Sequence, residues 1–133
     1  MSRLKVFSSA ALVLLLAVPV VNAQPRGARM RAESRAYNDA TRLAAILHDV
    51  RSSRANVSPQ AWRVTANEAN VLADRLYNET RGKSHMQARD ARVHVRQFRQ
   101  AAMRGDGVGA QSHANQALPF VWAVVEAYAP PRR

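Results

Sequence analysis

Apolar residues recur along this chain at alternating steps of four and three, in four blocks separated by short polar breaks. The first block runs Ala36, Ala40, Leu43, Leu47 and Val50, and the second Trp62, Thr65, Ala69, Leu72 and Leu76. The third is Ala88, Ala91, Val95, Phe98 and Ala102; the fourth is Ala110, Ala114, Ala117, Val121, Val124 and Tyr128. A repeat averaging about 3.5 residues keeps one stripe of a helix turned toward a partner helix. Ile46, Leu118 and Val125 flank these stripes and widen them to the face a globular bundle needs. No segment carries a convincing strand pattern. The expected fold is therefore all-α, an antiparallel up-down-up-down four-helix bundle with helices roughly over 30–52, 59–81, 85–104 and 108–129.

The breaks carry their own signals. Ser58-Pro59 reads as an N-cap followed by proline at the first helical position, where its missing N–H costs nothing. Gly82 is suited to the left-handed conformation that ends the second helix, and Ser84 with Gln87 reads as a capping box for the third. Arg104-Gly105-Asp106-Gly107 closes the third helix and opens the fourth. Pro119 falls inside the fourth helix, where it should kink the axis and free the carbonyl of Asn115. Alanine dominates the seams, so most of the core energy is expected from Leu43, Leu47, Trp62, Leu72, Leu76, Phe98, Val121 and Trp122.

Ahead of the first block lies a segment with a different logic. Arg3 and Lys5 precede an apolar run of twelve residues from Ala10 to Val21, too short to cross a hydrocarbon core about 30 Å thick. Val21-Asn22-Ala23 then places small residues where a signal peptidase reads. Residues 1–23 are expected to be a cleaved secretory signal peptide, with 24–133 a single four-helix-bundle domain. Periplasmic or secreted localisation follows, and without cysteine no lipid tether is expected.

Charge narrows the partners. The chain carries 20 basic and 9 acidic side chains, a net +11. Removing Arg3 and Lys5 with the signal leaves eighteen basic residues and a net +9, and only Lys83 among them is lysine. Such a surface favours polyanions or acidic proteins. Arginine with alanine is also the bias of a GC-rich coding sequence, so composition alone does not separate the two readings.

Enzyme chemistry finds no foothold. There is no nucleophile motif or catalytic acid pair, and Gly105-Asp106-Gly107-Val108-Gly109 joins two helices rather than a strand and a helix. His48, His85, His94 and His113 form no pair at helical metal-ligand spacing. His94 and His113 stand one position off neighbouring seams; with Met30 they are weak metal candidates, more naturally read as boundary and packing residues. No cofactor is expected.

Met30, seventh in the expected mature chain, and the hairpin from Phe98-Arg99-Gln100-Ala101 through Asp106 to Ala110–Ala114 resemble soluble periplasmic b-type cytochromes of the four-helix-bundle kind. That resemblance implies haem held between a methionine near the mature N-terminus and a histidine near the C-terminus. Glu126-Ala127-Tyr128-Ala129 has no histidine where the second ligand belongs, which points to a fold relative without haem. A haem or metal carrier is the alternative function on this basis.

The arginines are better organised. Arg89, Arg92, Arg96 and Arg99 recur at steps of three, four and three, one residue off the seam, and Arg31, Arg35 and Arg42 form a looser second stripe. These seven are the expected anion-binding residues, set against the alternative of a solvated face. The leading reading is an exported, non-enzymatic helical bundle that binds an anionic partner or serves in envelope stress or assembly.

Overall fold

A computed structural model describes residues 25–53 and 57–132. The expected signal peptide, residues 1–23, lies outside the described residues. Among those described the chain is all-α: α1 spans Pro25–Ser52, α2 Pro59–Glu79, α3 Gly82–Met103 and α4 Gly107–Tyr128. None of these helices is long and apolar enough to cross a membrane. The chain divides into two compact units, Met1–Ala32 and Glu33–Arg133. Of the first, the described part is the opening of α1, where Gly27 to Arg31 are exposed and Met30 is 69 % exposed.

The second unit is a packed helical bundle whose core follows the four apolar stripes. Ala36, Ala40, Leu43, Leu47 and Val50 are buried on α1, and Trp62, Ala69, Leu72 and Leu76 on α2. Every seam residue of α3, from Ala88 to Ala102, is buried, as are those of α4 from Ala110 to Val124. Thr65 and Tyr128, at the margins of their stripes, are half-buried. The ring of Phe98 meets the edge of Trp62 with centroids 6.3 Å apart, joining α2 to α3 in the favoured T-shaped geometry.

Trp122 departs from the expected core. It is 46 % exposed, because Val121, Val124 and Val125 fill the inward face of α4. One residue on from Val121 is a rotation of about 100°, which carries the indole away from the seam.

Helix ends explain the boundaries. Ser58 Oγ accepts from the Ala61 N–H at 3.2 Å, and Asp106 Oδ1 from the Gly109 N–H at 2.9 Å, so α2 and α4 each start on a side-chain cap. Gly105 (φ 74°) ends α3: its N–H donates to Ala102 O at 3.1 Å, and the Asp106 N–H reaches Ala101 O at 2.9 Å. That pair of bonds is a Schellman closure, which needs a residue at positive φ. Gly82 also has positive φ (62°), yet it opens α3 rather than closing α2, which ends on Thr80. Arg81 is accordingly the N-cap of α3, with no side-chain cap bond. Ser84 and Gln87 then lie inside the helix, and the expected capping box is not formed at its start. α1 is helical from Pro25, ahead of the expected residue 30, and α4 continues through Pro119 to Tyr128.

Candidate anion-binding groove

The seam of α3 faces the core, so residues one step off it fall at the edge where α3 meets α2. Arg89, Arg92, Arg96 and Arg99 occupy that edge, and α2 answers with Asn67, Asp74 and Tyr77 at steps of seven and three. The Arg99 Nε donates to Asn67 Oδ1 at 2.8 Å. Arg96 Nη2 lies 3.6 Å from Asp74 Oδ1, and Arg89 Nε lies 3.6 Å from Asp90 Oδ1. Arg92 lays its guanidinium over the Tyr77 ring, 3.7 Å from the centroid, while the His85 ring sits 4.3 Å from the same centroid. Arg92, Arg96 and Arg99 therefore line the α2–α3 groove, and Arg89 continues the row along α3.

The quality of these contacts matters for binding. Two of the four partners, Asn67 and Tyr77, are neutral. The two acidic contacts are too long for hydrogen bonds, so they act as ion pairs and do not occupy the guanidinium N–H groups. The side chains of Arg89 and Arg96 are more than half exposed, so each keeps forked donors directed at solvent. What the partners supply is position: Arg92, Arg96 and Arg99 are held against α2, and Arg89 against Asp90 of its own helix.

The second stripe is not brought together in the same way. Arg42 pairs with Glu68 of α2, its Nε donating at 2.8 Å and Nη2 also reaching Oε1. Arg35 is exposed, and its charge acts on Glu79. Arg31 is exposed in the first compact unit.

The histidines are engaged locally. His94 stacks on Phe120 of α4, centroids 5.6 Å apart, with its Nδ1 3.2 Å from Gln97 Oε1. His113 is half-buried with Nδ1 unpartnered. Among the described residues no three His, Asp or Glu side chains form a group that could hold a metal. A cavity of about 390 Å³ beside the α3–α4 turn is lined by Val57, Trp62, Val108 and Gln111 among others, with no charged side chain among the described residues. It is separate in chemistry from the arginine row.

One cluster escaped the sequence reading. Asp39 on α1 is 6 % exposed, and its Oδ1 accepts from Arg75 Nη2 of α2 at 2.6 Å. Glu79, one turn beyond Arg75, stands beside the Asp39 carboxyl. Burial, a proton shared with Asp39 and the Asp39 charge push Glu79 up to about 7, against the opposing pull of Arg75 and Arg35. The available signal was positional. Asp39 sits three residues after Ala36 and Glu79 three after Leu76, so both acids fall on buried faces.

Comparison with protein-family models, with curated proteins and with solved structures finds no match for this chain.

Proposed function

We propose that the chain is an exported, non-enzymatic, antiparallel four-helix bundle that binds an anionic partner along the α2–α3 groove through Arg89, Arg92, Arg96 and Arg99. The observation that carries this reading is the pairing of Arg92 and Arg99 with neutral groups, Tyr77 and Asn67. A row that served only to balance charge would be matched by acids; this one is positioned by α2 and left with positive charge to spare. Arg35 and Arg42 are secondary, since each is already near a carboxylate of its own.

The antiparallel order is supported by the cross-helix pairs. Asp39 meets Arg75 while Arg42 meets Glu68, so partners on α2 move back as α1 moves forward. Asn67 with Arg99 and Asp74 with Arg96 run the same way for α2 and α3. Export rests on residues 1–23, which have the composition of a cleavable signal. The mature protein would then work in the periplasm or outside the cell, in envelope assembly or stress.

Retention of the mature chain on immobilised heparin, as a polyanion probe, tests the binding surface. Replacing the four row arginines with glutamine should advance elution to much lower salt. Replacing Arg29, Arg51, Arg104 and Arg132 instead removes the same charge elsewhere and should advance it far less. Equal loss in both variants would show that net charge alone is responsible. N-terminal sequencing of protein recovered from its own host should begin at Gln24; an intact Met1 would remove the export reading.

A further inference from the structure

A carboxylate buried between helices is costly unless it is paired or protonated; α1 buries Asp39, and α2 half-buries Glu79 with its Oε2 out of reach of solvent. Asp39 gives Oδ1 to Arg75, but its Oδ2 is buried without a donor, and so is Glu79 Oε2. Two neighbouring acceptors without donors are both satisfied by one proton held between them. Asp39 lies on α1 and Glu79 on α2, so a proton shared between them ties the two helices together.

We propose that the Asp39–Glu79 carboxyl pair is a proton-operated latch between α1 and α2, closed while one proton is shared and released when that proton leaves to solvent. Two carboxylates could also attract a cation. Here Arg35 of α1 and Arg75 of α2 act on the same pair and oppose one. Among the described residues, those arginines and Asp39 are the charged groups that act on Glu79. On the α3 side the chain turns through Arg81, whose guanidinium is bonded to the Asn78 and Thr80 carbonyls and whose N–H meets the Tyr128 hydroxyl of α4.

The direction follows from linkage. Glu79 holds its proton up to about 7 in the folded chain, above its ordinary value of 4.5. Its stabilisation is complete below that ordinary value, declines as pH rises, and is lost once pH passes about 7. Above that point two negative charges face each other in a partly desolvated site, and the α1–α2 contact loosens. An exported protein meets external pH directly, so the latch would tighten the bundle in acid and relax it in alkali.

The test uses the full mature chain. NMR titration of side-chain carboxyl carbons should show Glu79 titrating near neutrality. Amide protection over Ala36 to Leu43 should fall about tenfold between about pH 6 and pH 8.5. Glu79→Gln keeps an N–H donor toward Asp39 and cannot ionise, so its protection should stay level across that range. All four histidines remain in that variant, so a histidine-driven change would persist in it and overturn the proposal. Glu79 titrating in the ordinary carboxylate range overturns it as well. Should Glu79→Gln fail to fold, the wild-type carboxyl titration and its protection profile decide the matter.

Discussion

Arg92 lies face-on over Tyr77, its guanidinium carbon 3.7 Å from the ring centroid. This contact joins α3 to α2 without using an acid, and it fixes the middle of the arginine row. Cation–π pairs contribute about 0.5–1 kcal/mol when exposed and about 2 when desolvated. Since Arg92 and Tyr77 are both half-buried, a double-mutant cycle with Arg92→Gln and Tyr77→Leu should give a coupling of about 1 kcal/mol. Denaturant unfolding of the four proteins measures it, and additivity would show that the ring only fills space.

Phe98 is fully buried and meets Trp62 edge to face. Phe98→Ala should cost about 3–5 kcal/mol through lost transfer energy and the cavity left behind. A domain of this size has about 5–15 kcal/mol in total, so the variant should melt far below wild type or fail to fold. An unchanged thermal transition would mean that the α2–α3 interface does not depend on this ring.

Gly105 and Gly107 provide a paired test of backbone conformation. An added Cβ meets nothing within 4 Å at either position, but only Gly105 has positive φ. Gly105→Ala should therefore lose about 1–2 kcal/mol from backbone strain alone. Gly107→Ala, at the first residue of α4, should be neutral or stabilise by about 0.4–1 kcal/mol. Thermal melts of the two variants moving together would contradict the Schellman assignment.

How far the sequence reveals this molecule depends on the kind of signal each residue carries. The stripes from Ala36 to Val50 and from Ala88 to Ala102 are periodic and apolar, so burial is readable one helix at a time. Trp122 misled because a large ring beside Val121 looks like core, whereas smaller valines already fill that face. Gly82 shows the same limit at a turn: its positive φ was legible, but which helix it belongs to depends on Thr80 and Arg81. The arginine row was visible as a spacing. Its partners Asn67, Asp74 and Tyr77 were not, because register between helices is set by packing rather than by either helix's own pattern. Asp39 and Glu79 carry no apolar signal and lie forty residues apart, so only tertiary structure brings them together.

The central claim is that the α2–α3 row meets anions as a unit, and salt dependence measures that most directly. With duplex DNA as a polyanion probe, each neutralised phosphate contributes about −0.9 to the log–log slope of affinity against salt. Four engaged arginines should give a slope near −3.6, and the variant with glutamine at Arg89, Arg92, Arg96 and Arg99 should lose most of it while remaining helical. Glutamine at Arg29, Arg51, Arg104 and Arg132 should leave the slope close to the wild-type value. A slope that falls equally in both variants would contradict the account and reduce the row to a clamp between two helices.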